Sequence, residues 1–302
     1  MKKVINKLRK LKAKRVFIQF GEGLKLRIQD IAEKLKKEGF ETVICCEPCF
    51  GSCDIREFEA KRLGCDAILH IGHEKIVHTK IPVIYWEYFM DSDPHIALEK
   101  DFLKLENFKK IGLITSIQFV KTIPKVKEYL EKKGKVVFVH KALKYPGQIL
   151  GCNLEAAKKI EDKVECFLCI SAGKFYGLGI VLATEKPVFN LDLESNEIVN
   201  LEDFRKKIRK IIVWNKSRLE ESRNVGILVS WKVGQIKRNF FSLKKRLEKK
   251  GKTVYLIAMD EITPEKIEGL KLDFLINAAC PRIGIDDLER YKIPMINIED
   301  LD

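Results

Sequence analysis

The sequence predicts an α/β protein built from three related small parallel-sheet α/β domains, an internal triplication around a shared central site. Three observations predict it. One strand-and-helix pattern recurs three times, each of its helices stops at a glycine, and each unit closes on a strand opened by proline.

The first strand of each unit is a short apolar run, at 16–20, 111–115 and 225–229, as expected of parallel strands covered on both faces. Charged helices follow over 26–38, 122–133 and 239–250. They stop at Gly39, Gly134 and Gly251, residues suited to the left-handed position just past a helix. Second strands fall at 42–45, 136–139 and 253–257, and third strands at 67–71, 166–171 and 274–278. The last strands begin at Pro82, Pro187 and Pro294, which follow the three glycines by 43, 53 and 43 residues, so the middle unit carries an insertion. The repeats are assigned to residues 1–100, 101–200 and 201–302, with linkers near 91–109 and 193–223. Crossovers between parallel strands are right-handed, and ligands of such sheets gather at the strands' carboxyl ends.

A chain of 302 residues that is 46% hydrophobic and 33% charged is not a disordered one. It is also long enough to bury a core without covalent staples, so its nine cysteines are not needed as disulfides. Their odd number, with no secretory signal at the start of the sequence, points to reduced thiols and a cytoplasmic location. No apolar run approaches the roughly 18 residues of a membrane span. The 57 Lys and Arg against 43 Asp and Glu give a net charge of +14, which would suit a polyanionic partner. The lysines are spread over helix faces, however, as at Lys36-Lys37, Lys132-Lys133 and Lys249-Lys250, and no nucleic-acid-binding motif accompanies them. Direct nucleic-acid binding is not expected.

Cys45, Cys46, Cys49, Cys65, Cys166 and Cys169 lie in or beside strands or helix ends, where cysteine behaves as a small hydrophobe. The run Cys45-Cys46-Glu47-Pro48-Cys49-Phe50-Gly51-Ser52-Cys53 comes close to a self-contained cluster loop. Adjacent cysteines in a strand point to opposite faces, so Cys53 alone is preferred as a ligand. Cys53, Cys152 and Cys280 stand apart, one per unit, each in a loop with glycine or proline at a strand's carboxyl end. Three thiolates suit an iron–sulfur cluster with one iron left open, with zinc held by cysteine and histidine as the rival. His70, His73 and His78 have a loose metal-like spacing, but His70 falls inside a strand, and core or loop histidines are the simpler reading. No nucleotide-binding loop or nucleophile elbow is present where one would be needed.

Four segments share a further likeness. Gly21-Glu22-Gly23-Leu24 resembles the P-E-G-L motif of the Dph2-like diphthamide-synthesis family, with Gly in place of Pro. Phe50-Gly51-Ser52-Cys53 resembles its Y-G-A-C, and Gly147-Gln148-Ile149-Leu150-Gly151-Cys152 its G-Q-V-L-G-C. The stretch from Asn277 through Cys280-Pro281-Arg282 to Asp286-Asp287 is similar to its N-T-A-C-P-R-I-A-I-D-D. Gly173-Lys174-Phe175-Tyr176-Gly177-Leu178-Gly179 departs from the family's G-R-F-H-P-L-G, and the family's long C-terminal extensions are absent.

The resemblance implies a three-domain transferase, homodimeric in archaea, whose cysteines Cys53, Cys152 and Cys280 hold one [4Fe–4S] cluster. Its substrate S-adenosylmethionine would be cleaved at the bond from sulfur to the aminocarboxypropyl γ-carbon. The resulting radical would add to a histidine of translation elongation factor 2, the first step of diphthamide formation. Because the cofactor carries the hard chemistry, no catalytic residue is required beyond the cluster ligands. Arg282 is expected to pair with the substrate's carboxylate through its planar fork, and Glu22 and Asp286 are candidate carboxylates of the same binding site. The electron donor is not identified. Two other readings stay open: a [4Fe–4S] enzyme like quinolinate synthase, which resembles the same triplication, and a non-enzymatic metal-sensing regulator that binds nucleic acid.

Overall fold

At the three glycines read as helix stops, φ is +90° at Gly39, +78° at Gly134 and +82° at Gly251. That backbone is strained for any residue with a Cβ, and it turns the chain back toward the next strand. These values come from a computed structural model describing residues 1–236, 239–285 and 287–301. The chain divides into two units, Met1–Phe89 with Lys232–Gln235, and Met90–Trp231 with Ile236–Asp302.

The first unit holds a four-stranded parallel sheet of β1 (Arg15–Phe20), β2 (Glu41–Ile44), β3 (Ala67–Ile71) and β4 (Val83–Trp86), in the order β2-β1-β3-β4. Helices α1 (Lys2–Lys10) and α2 (Ile28–Lys37) cover one face. They bury Val4, Ile5, Leu8, Ile28, Ala32 and Leu35, spaced as one stripe of a helix. The opposite face takes Ala60 of α3 (Glu57–Arg62) together with Ile55, Cys65 and Ile81.

The second unit contains two sheets. One is β6-β5-β7-β8-β9, made from β5 (Lys110–Thr115), β6 (Val136–Phe138), β7 (Cys166–Ser171), β8 (Val188–Asp192) and β9 (Glu197–Asn200). It is parallel except for β9, which runs antiparallel to β8. The other is β11-β10-β12-β13, from β10 (Asn224–Ser230), β11 (Thr253–Met259), β12 (Phe274–Asn277) and β13 (Met295–Asn297), all parallel. All three sheets therefore order their first four strands as second, first, third, fourth. The helices of this unit are α4 (His95–Asp101), α5 (Ile123–Lys132), α6 (Glu155–Lys158), α7 (Phe175–Ala183), α8 (Glu202–Glu221) and α9 (Phe240–Lys249).

The structure corrects the sequence reading in two places. The stretches read as linkers are largely ordered: 91–109 contains α4, and 193–223 contains β9 and the 20-residue α8. Helix α8 packs Phe204, Ile208, Ile212 and Leu219 against the cores, a helical stripe the sequence reading passed over because the charged Arg205 and the polar Asn215 are buried along it. Arg205 instead donates to the carbonyls of Val181 (2.5 Å), Thr184 and Lys186 (2.6 Å), satisfying the carboxyl end of α7. Cys45 and Cys46 also lie beyond β2, although the Cys45 amide still donates to Ile18 O at 2.9 Å. No helix among the described residues is long and apolar enough to cross a membrane.

Candidate functional site

In the first unit, Cys53 sits in the loop between β2 and α3, and hydrogen bonds hold that loop on both sides of it. Gln19, fully buried on β1, donates from Nε2 to Asp54 O at 2.5 Å and accepts from the Arg56 amide at 3.3 Å. The buried Ser52 hydroxyl donates to Glu74 O at 2.5 Å. The segment Lys232–Gln235 closes over the same loop. There Lys232 Nζ lies 2.7 Å from Asp54 Oδ2, with the two side chains only 3% and 4% exposed. The Gly234 amide donates to Cys53 O at 2.8 Å, and Gln235 Nε2 donates to Cys53 Sγ at 3.6 Å. An N–H aimed at sulfur favours the thiolate and, at a metal, tunes its potential.

None of the sequence features singled out Lys232–Gln235. Its signal was positional: it follows the first strand of the third repeat, just as Gly21-Glu22-Gly23-Leu24 follows that of the first. Glu22 opens a 3₁₀ turn and is half exposed, 3.5 Å from Lys25 Nζ.

In the second unit, Cys152 is exposed in a tight turn closed by reciprocal bonds between Leu150 and Asn153 at 3.0 and 3.1 Å. The preceding segment adds to the sheet beside β5: Thr115 N donates to Gly147 O at 2.8 Å and Ile149 N to Thr115 O at 2.9 Å. Cys280 lies in the loop after β12. Asn277 Nδ2 donates to Cys280 O at 2.8 Å and to Asn297 Oδ1 at 2.7 Å, so the paired ends of β12 and β13 hold this loop.

Phe175 joins the two loops. Its ring occupies the space a side chain on Gly151 would need, and the Arg282 guanidinium stacks 4.8 Å over its centroid. Tyr176, beside it, is pushed up to about 12 by burial first and then by Cys169 and Cys152, with Arg282 opposing the rise. Cys152, Arg282 and the Phe175-Tyr176 pair are thus one neighbourhood of the second unit, and Cys280 is two residues from Arg282. The sequence flagged the segment containing Phe175 and Tyr176 only as a departure from a pattern. Asp286 lies outside the described residues.

The nine cysteines form no disulfide. Burial pushes the Cys166 and Cys169 thiols up to about 12, which makes them poor thiolates. Cys53, Cys152 and Cys280 are loop thiols less enclosed than these, as is Cys46 just beyond β2. They are soft donors of the kind iron–sulfur clusters take, so the residues present fit such a group.

The family model described as "Putative diphthamide synthesis protein" matches residues 20–302. The chain belongs to this family. Among the relatives of this diphthamide-synthesis protein, a 2-(3-amino-3-carboxypropyl)histidine synthase of Pyrococcus horikoshii is 30% identical, across 99% of this chain and 88% of that one. The Methanocaldococcus jannaschii protein of the same name is also 30% identical, across 95% of this chain and 83% of that one. A crystal structure of Dph2 from Pyrococcus horikoshii with a 4Fe-4S cluster superposes with a TM-score of 0.90 at 28% identity, covering 99% of this chain and 88% of that one. The α/β fold with three mainly parallel sheets is the architecture they share.

Proposed function

We propose that this protein transfers the 3-amino-3-carboxypropyl group of S-adenosylmethionine to a histidine of translation elongation factor 2, the first step of diphthamide synthesis. The observation that carries this reading is the match along nearly the whole chain to a synthase structure holding a 4Fe-4S cluster. We assign Cys53, Cys152 and Cys280 as the cluster's ligands, Arg282, Glu22 and Asp286 to substrate binding, residues 1–100, 101–200 and 201–302 to three domains, and the working form to a cytoplasmic homodimer. When bound, such a cluster supplies the electron that breaks the sulfur–carbon bond of the substrate.

The chain's own residues then have limited tasks. The backbone on either side of Cys53 is fixed by Ser52 before it and by Gly234 and Gln19 after it, so its sulfur is presented at a set position. An added Cβ at Gly234 would lie 2.5 Å from Cys53 Cβ and 2.6 Å from its Cα, both parts of a pinned loop. Gly234→Ala is therefore expected to displace Cys53, lowering the iron bound per chain and cutting turnover roughly 10- to 100-fold, because displacements of about 1 Å cost that much in a preorganised site. Full iron content in this variant would refute the role given to the close approach.

Arg282 presents a guanidinium already placed over the Phe175 ring, 4.8 Å from its centroid, so its fork can meet a carboxylate with less ordering cost. Arg282→Ala is expected to weaken S-adenosylmethionine binding about 10-fold or more while leaving the cluster's absorption spectrum unchanged. Equal affinity in a titration ends that assignment. The proposed function itself is tested anaerobically with a reductant, carboxyl-labelled S-adenosylmethionine and elongation factor 2. Label is expected in the factor, matched by methylthioadenosine, and the absence of labelled factor would overturn the proposal.

A further inference from the structure

A second cluster of ligating side chains lies in the first unit and plays no part in the proposed transfer. Cys49, His70 and His73 each place a donor atom within 4.8 Å of the other two. Cys49 comes from the loop after β2, His70 from the interior strand β3, and His73 from the turn that follows β3. Of the three histidines with metal-like spacing, His78 is not in this group. The donor that completes it is a cysteine read from sequence as a small hydrophobe.

Hydrogen bonding leaves this cluster incomplete. His70 is fully buried, and its Nε2 meets His73 Nδ1 at 3.0 Å. Its other nitrogen, Nδ1, has no partner among the described residues. The buried hydroxyl of Tyr85, whose ring lies 5.6 Å from that of His70, also has none. Cys49, 3% exposed, makes among the described residues a weak 3.5 Å contact to Gly51 O. Unmet polar atoms inside a central strand are costly, and a structural core would be expected to use apolar side chains here.

We propose that Cys49, His70 and His73 form a binding site for one zinc-like divalent cation, distinct from the thiols assigned to the iron–sulfur cluster. Imidazole and thiolate together are the donor set of borderline-soft cations. Tetrahedral zinc sets its nitrogens about 3.3 Å apart and nitrogen from sulfur by about 3.6 Å, so the histidines need open by only a few tenths of an ångström. The cation takes the place of the proton shared between the rings. Each ring keeps its one proton on its other nitrogen, which for His70 is the unpartnered Nδ1, and the Cys49 thiol proton leaves to solvent. His73 is only partly buried and marks the side of entry. A bound ion would clamp the loop bearing Cys49, four residues before Cys53, to the end of β3. This site does not depend on the transferase reading.

Cobalt(II) is the probe, added anaerobically to chelator-treated, reduced full-length protein, with zinc as competitor. A Cys53→Ala/Cys152→Ala/Cys280→Ala variant should bind one tetrahedral ion with a sulfur-to-cobalt charge-transfer band and release about one proton as the cobalt binds, zinc then displacing it with no further proton release, and the wild-type chain should bind this ion and a second equivalent. Cys49→Ala, introduced into that triple variant, should lose the band and weaken binding roughly 100-fold or more, and His73→Gln should weaken it similarly. Cobalt binding that survives Cys49→Ala, or that disappears in the triple variant while its circular dichroism stays that of the wild type, would overturn the proposal. Should the triple variant misfold, the same comparison in the otherwise wild-type chain decides it, because loss of the site then removes one of two bound equivalents.

Discussion

Alanine at Cys53, Cys152 or Cys280 is expected to lower label transfer to elongation factor 2 by about 100-fold or more and to remove most of the visible absorption of the reconstituted cluster. Even outer-shell partners of a metal site are worth roughly 10- to 100-fold, and a ligand is worth more. In the ligand set proposed above, three thiolates for four irons would leave one iron for substrate, and losing a thiolate would leave the cluster under-held rather than differently tuned. The informative controls are Cys166 and Cys169. Both are fully buried in β7, and burial raises both thiols to about 12. Alanine there should cost some stability through lost packing and leave iron, sulfide and spectrum per folded chain unchanged. Iron and sulfide analysis with electron paramagnetic resonance of the reduced protein makes the comparison. A Cys152→Ala protein with a full cluster would remove Cys152 from the ligand set.

What the sequence made legible follows from which interactions are local. The glycine stops at Gly39, Gly134 and Gly251 were readable because a left-handed residue after a helix is a demand of the backbone itself. The first strand of each sheet was readable because its buried run is continuous, as at Val16 to Phe20. Helix α8 was not, since its apolar stripe of Phe204, Ile208, Ile212 and Leu219 is interrupted by the buried Arg205, a residue that pattern reading assigns to solvent and that here donates to the carbonyls of Val181 in α7 and Lys186 beyond it. The candidate ligands Cys53, Cys152 and Cys280 stood out by their glycine- and proline-bearing loops. Their supports did not. Phe175 against Gly151 and Gln235 against Cys53 are pairings across long stretches of chain, and no spacing rule encodes them. Cys49 with His70 and His73 failed for the same reason, because the strand position that argued against His70 as a ligand is what aims it at the neighbouring loop.

Asp54→Asn is expected to destabilise the first unit by about 3–5 kcal/mol, the cost of removing one partner from a buried ion pair. Asp54 follows Cys53 directly and is 3% exposed. Lys232 Nζ is 2.7 Å from one of its oxygens, and Arg56 Nε is 3.9 Å from the other. Two buried cations thus converge on one carboxylate, and neutralising it leaves both without that charge in a poorly solvated place. Lys232→Met should cost less than Asp54→Asn, because Arg56 remains to balance Asp54. The double variant should lose less than the sum of the two single losses, and that shortfall is the coupling of the pair. Urea unfolding of the four proteins supplies the cycle, read with the denaturant slope to confirm that the same transition is being compared. The pair also sits where Lys232–Gln235 meets the Cys53 loop, so both single variants should lose iron from the reconstituted protein at concentrations of urea well below the unfolding midpoint. Asp54→Asn within about 1 kcal/mol of wild type would mean that the carboxylate is solvated in solution, and the tether assigned to Lys232 would fall with it.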